Sequence, residues 1–125
     1  MNRYLLISIG AVLGANARYL VGMWAVERLG LGFPYGTLIV NVTGSFVLGF
    51  LLAALDGRLP MPSDLRFLVG VGFLGAYTTF SSFAVESLLL LRGGSPGMAL
   101  LNILGNNALG LAAALIGFML ARWIG

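Results

Sequence analysis

The sequence predicts an all-α integral membrane protein, one domain over residues 1–125 that crosses the bilayer four times. Hydrophobic residues make up 59% of the chain and charged ones only 9%, with a mean hydropathy of +1.00, too little polar surface for a soluble fold of this length. Four apolar runs of roughly 20 residues, the length a bilayer core requires, fit the chain with almost nothing left for a soluble domain. The connections carry turn residues: Gly30-Leu31-Gly32-Phe33-Pro34, then Asp56 to Asp64 with Gly57, Pro60 and Pro62, then Gly93-Gly94-Ser95-Pro96-Gly97. The first run is too long, and too soon followed by the next, to read as a cleaved signal peptide.

The chain contains no Cys and no His. Disulfides, thiolate chemistry, imidazole catalysis and the usual zinc ligands are therefore removed together. No constellation of nucleophile and base is present, and an enzyme is not expected. The net charge of +3 comes from seven basic residues, all of them arginine. They are scattered as loop anchors and do not form the basic stripe of a nucleic-acid binder.

The first span, at about 4–25, carries Gly10, Gly14, Arg18 and Gly22 at four-residue spacing, a small-residue face holding one guanidinium. Arg18 either reaches the headgroups along its long stem or lines a polar cavity. The second span, at about 36–55, places Thr37, Asn41, Ser45 and Gly49 on one face. Asn41 has two donors and two acceptors that lipid cannot satisfy, so it serves either a path or a helix contact. Gly44 shares a neighbouring line with Gly36 and Val40, suited to tight packing.

The third span, at about 65–91, contains Gly70, Gly72, Gly75, Thr78, Thr79, Ser81 and Ser82, a poor interior for a regular helix. A local break at Gly75 to Thr79 is expected, and irregular backbone at membrane depth persists only where protein or a wet cavity satisfies it. Ser63 is positioned to cap this span. Phe80, Phe83 and Glu86 follow at three-residue spacing, and ring edges turned inward can contact an anion. Glu86 either approaches Arg92 at the interface or faces a vestibule. The fourth span, at about 98–122, is opened by Ser95-Pro96 and places Asn102, Asn106, Gly110 and Ala114 on one stripe.

Charge counting leaves orientation open. The termini and middle loop hold Arg3, Arg58, Arg66 and Arg122, against Arg28 and Arg92 on the other side, a weak bias compatible with one fixed orientation or with an antiparallel dimer. The intramembrane polar groups are mostly neutral donors with one arginine, which suits an anion better than a cation. The reading is a small anion-conducting oligomer with its pore at a subunit interface. One rival is a small proton-coupled multidrug-type transporter, which needs a carboxylate near the membrane middle where this chain offers Arg18, with Glu86 nearer an end. Another is a noncatalytic assembly subunit, favoured by the glycine-lined faces.

The runs Gly14-Ala15-Asn16-Ala17-Arg18-Tyr19, Gly36 to Phe46 and Gly75-Ala76-Tyr77-Thr78-Thr79-Phe80-Ser81-Ser82-Phe83 closely resemble the Fluc (CrcB) family of fluoride channels, in order and over essentially the whole chain. The resemblance implies a fluoride-selective channel that exports fluoride passively across the cell (inner) membrane, built as an antiparallel, dual-topology homodimer with two pores. It also implies a sodium ion at the dimer centre, held by the backbone carbonyls of Gly75 and Thr78 from both subunits. It places Asn41, Phe80 and Phe83 along the fluoride path, with Ser81, Ser82, Thr37 and Glu86 as further participants and Arg18 near a vestibule. Two departures stand out: Ser82 replaces the second threonine of the family's Thr-Thr-Phe-Ser-Thr-Phe run, and the fourth-span stripe is Asn106, Gly110 and Ala114 where relatives carry hydroxyls. No hydroxyl role is expected there.

Overall fold

The computed structural model describes residues 1–57 and 59–125, and among these it contains helices and turns only. Arg58, counted above with the loop arginines, lies outside the described residues. Four helices are long and apolar enough to cross a membrane: Arg3–Leu29, Tyr35–Leu55, Ser63–Arg92 and Pro96–Ile124.

Helix α1 is Arg3–Leu29. The Asn2 side chain caps it by accepting the Tyr4 N–H at 2.9 Å, and Gly30 ends it with a φ of 82°, a conformation that glycine adopts without steric cost. Helix α2 is Tyr35–Leu55, entered directly from Pro34. The third span is composite. Its first part, α3 (residues 63–77), joins one turn at Ser63–Leu65, nine residues of π-helix at Arg66–Leu74, and a short α-helical piece at Gly75–Tyr77. Ser63 is the first helical residue and makes no cap, because Pro62 occupies the capping position. Thr78 and Thr79 are extended, with φ/ψ of −81°/156° and −150°/114°. The chain then re-enters helix as α4, Phe80–Arg92. Helix α5 is Pro96–Ile124, with proline in its first turn, where a missing N–H costs nothing.

Between lipid and protein there is little hydrophobic difference, so close van der Waals approach has to hold the bundle. The glycines supply it. A Cβ on Gly10 would strike the Leu68 carbonyl, and one on Gly14 the Phe73 carbonyl, so α1 lies backbone to backbone on the π segment of α3. A Cβ on Gly49 would strike the Ala114 carbonyl and one on Gly117 the Phe46 carbonyl, which seats α2 against α5 in the largest helix contact of the molecule. Gly36 approaches the Cα of Gly22, bringing the start of α2 onto α1. The outward faces are apolar, with Leu111 74% exposed, as lipid-facing helices require. At one end of the bundle the N-terminal amine meets Asp64 at 3.4 Å while Arg3 lies over the Phe67 ring, tying the start of α1 to the start of α3.

Candidate functional site

The site begins with the two extended threonines. An extended residue in mid-span frees backbone groups that a bilayer cannot hydrate, so each must find a partner within the protein. Asn41, from the middle of α2, supplies both partners for Thr79. Its Oδ1 accepts the Thr79 N–H at 2.8 Å, and its Nδ2 donates to the Thr79 carbonyl at 3.0 Å. Thr79 then starts α4, its hydroxyl accepting the Ser82 N–H at 3.2 Å and donating to the Ser82 hydroxyl at 3.0 Å. The carbonyl of Thr78 accepts from an Arg18 guanidinium N–H at 3.4 Å.

The second Nδ2 proton of Asn41 goes to α5, donating to Asn106 Oδ1 at 2.9 Å. Asn106 in turn donates to the backbone and side-chain oxygens of Asn102, both at 2.9 Å. Asn102 donates to Ser87 Oγ at 2.9 Å, and Ser87 donates to the Phe83 carbonyl at 2.8 Å. Three amides and a hydroxyl thus form one continuous chain between α2, α5 and α4.

Phe80 and Phe83 stand on the first turn of α4 with ring centroids 5.5 Å apart and planes at 65°, an edge-to-face pair. Phe83 is buried at 8% exposure while Phe80 is 78% exposed. Both line a cleft of about 250 Å³ together with Asn41, Ser45, Asn106 and Asn107. No carboxylate lines it. The Ser82 hydroxyl, having accepted from Thr79, keeps its own proton for another partner, whereas Ser81 is exposed away from these bonds.

Thr37 and Glu86 lie elsewhere, in a separate cleft of about 420 Å³ at the end of the bundle formed by the α1–α2 and α4–α5 turns. Thr37 donates to Glu86 Oε1 at 2.7 Å, while Oε2 is buried without a partner among the described residues. Glu86 therefore pairs with α2 and makes no ion pair with Arg92. Of the sequence-predicted residues, the structure brings Asn41, Phe80 and Phe83 to one cleft, with Ser82 bonded to the Thr79 of its wall, and Thr37 with Glu86 to another. Arg18 lines neither cleft and reaches the Thr78 carbonyl from α1.

The chemistry of Gly75 and Thr78 suits a hard cation. In an unbroken helix the Gly75 carbonyl would accept the Thr79 N–H, but that N–H is taken by Asn41, and no backbone donor outside the helical ladder reaches Gly75 among the described residues. The Thr78 carbonyl accepts one long bond from Arg18 and keeps a second lone pair, although the guanidinium's charge opposes a cation beside it. Backbone carbonyl oxygens are donors of the kind that alkali and alkaline-earth cations take. Among the described residues no cluster of His, Cys, Asp and Glu offers an alternative.

Sequence reasoning singled out Asn102 and Asn106 but missed Ser87, and it missed that the two asparagines connect to Asn41. The usable signal is the i, i+4 spacing of Phe83 and Ser87 on one helix and Asn102 and Asn106 on the other.

Comparison with known proteins finds related chains over nearly the whole length. The family model described as CrcB-like protein, Camphor Resistance (CrcB), matches residues 5–118. A protein of Acidobacterium capsulatum is 43% identical over 122 residues, 98% of each chain. One of Chloroflexus aurantiacus is 42% identical over 125 residues, 100% of this chain and 99% of its own. One of Vibrio campbellii is 47% identical over 114 residues, 91% of this chain and 90% of its own. All three are named fluoride-specific ion channel FluC.

Proposed function

The chain belongs to the CrcB family, and from that premise we propose that it is a fluoride-selective channel that lets fluoride leave the cell down its gradient. The observation that carries the reading is the carboxylate-free cleft in which amide donors, a serine hydroxyl and the Phe80–Phe83 ring pair meet at mid-span. Fluoride is small and tightly hydrated, so a path has to replace its water with donors that do not hold it fast. Ser82 and the positive edges of Phe80 and Phe83 offer such contacts. Asn41 has both amide protons committed, so it contacts an ion only by exchanging one of those bonds, most simply the one to Asn106. Ser81, Thr37 and Glu86 serve the approaches, with Arg18 in a vestibule that raises local anion concentration.

The functional unit is an antiparallel homodimer with two pores in the cell (inner) membrane. Support comes from Phe80, which a single chain leaves almost wholly uncovered, and from the near-balance of arginines on the two sides. A sodium ion held by the Gly75 and Thr78 carbonyls of both copies would neutralise the dipoles converging there and fix the two chains' register. The rival multidrug-type transporter gains no support from the mid-span cleft, which lacks a titratable carboxylate.

Planar bilayers holding the purified protein provide the test. Fluoride current is expected from the wild type, with a loss of about tenfold or more in an Asn41→Ala, Phe80→Ala double variant. Intact current in the double variant refutes the assignment of the path, and proton-driven uptake of a cationic dye in place of current favours the transporter.

A further inference from the structure

The amide chain on α5 does more than join helices. Its donors all run one way: Asn41 to Asn106, Asn106 to Asn102, Asn102 to Ser87, Ser87 to the Phe83 carbonyl. An amide flipped at any link would set donor against donor or acceptor against acceptor, and Asn102, at 0% exposure, is out of reach of bulk solvent that could absorb the mismatch. The chain grips both ends of one short segment. Through Asn106 it fixes which edge of Asn41 faces Thr79, and through Ser87 it fixes the Phe83 carbonyl. Between those two points lies the whole Thr79–Phe83 turn, with the aromatic pair on it. Neither Asn102 nor Ser87 lines the mid-span cleft, so any influence on a passing ion acts through the residues they hold.

We propose that Asn102 is a positioning residue for the anion path: from α5, through Asn106–Asn41 on one side and Ser87 on the other, it sets the placement of Phe80 and Phe83. This rests on the fluoride-channel reading above. It assigns to Asn102 a buried orienting role, distinct from lining the path. The asparagine amide accepts from Asn106 on its own helix with its oxygen and donates to Ser87 on α4 with its nitrogen.

The experiment measures fluoride efflux from proteoliposomes of the full-length protein, together with the Asn41 side-chain amide signal in a nitrogen-15 labelled micellar sample. In Asn102→Ala, which loses the side-chain bonds to Asn106 and Ser87, we expect efflux to fall about tenfold, with the Asn41 signal shifted although Asn106 lies between the two sites. Asn102→Asp, whose neutral carboxyl keeps an acceptor for Asn106 and an O–H for Ser87, restores both readings to within about threefold. If Asn102→Ala fails to assemble, Ser87→Ala cuts the chain at its other end and carries the same direction of change. Wild-type efflux in an assembled Asn102→Ala or Ser87→Ala overturns the proposal, as does lost efflux with an unmoved Asn41 signal, which marks a role in stability alone. A wild type that carries no fluoride refutes the channel reading itself, a separate outcome.

Discussion

Asn41 is the residue where backbone and function meet, because a single amide satisfies both backbone groups of Thr79 and still donates to Asn106. Asn41→Ala therefore strands three buried polar groups at once, each worth about 1–3 kcal/mol when left unpaired. A clear drop in the melting temperature of the detergent-solubilised protein is expected, together with the loss of current. Asn41→Asp, as the neutral acid, keeps an acceptor for the Thr79 N–H and one O–H donor in place of two N–H donors, so it should fall between alanine and wild type in stability. The sequence shows that an intramembrane asparagine needs partners, and it leaves a path residue and a helix contact equally open. The identity of the partner is a matter of tertiary structure: Thr79 lies 38 positions away and nothing local marks it as the recipient. Arg18 is similar, since its stem length permits a headgroup as readily as the Thr78 carbonyl that it meets.

At the scale of the element, glycines that look alike in the sequence do different work. Gly49 has no room for a Cβ against the Ala114 carbonyl, whereas a Cβ on Gly105 would meet only the end of Leu38 at 3.7 Å, an ordinary contact. Gly49→Ala should separate α2 from α5 and lower the melting temperature. Gly105→Ala should raise it slightly, by the roughly 1 kcal/mol that separates glycine from alanine within a helix. The four apolar spans were readable from hydropathy, and the short Gly/Pro connections from turn chemistry. Two features of the third span were not. Its Arg66–Leu74 stretch winds as a π-helix where the Gly10–Gly14 face of α1 presses on it, and no residue pattern distinguishes that winding from an α-helix. Propensity pointed to a break from Gly75 to Thr79, whereas Gly75–Tyr77 is helical and only Thr78 and Thr79 are extended. Glycine weakens a helix without requiring it to end. What draws the chain out at Thr79 is an amide on another helix and a hydroxyl that caps the next one.

For the whole molecule, the exposed Phe80 ring and the open mid-span cleft are the surfaces that the proposed inverted second copy would cover. The absence of cysteine makes orientation measurable, since one introduced at Gly125 would be the only thiol in the chain. A membrane-impermeant reagent applied to intact cells is expected to label about half of the Gly125→Cys chains, the mark of near-balanced positive charge; complete or zero labelling would mean one fixed orientation. The central claim, that a carboxylate-free cleft of amides, hydroxyl and ring edges passes fluoride, is tested most directly by efflux from liposomes loaded with fluoride and chloride together. The account predicts rapid loss of fluoride with chloride retained, abolished in the Asn41→Ala, Phe80→Ala variant. Release of both anions alike, or of neither, would contradict it.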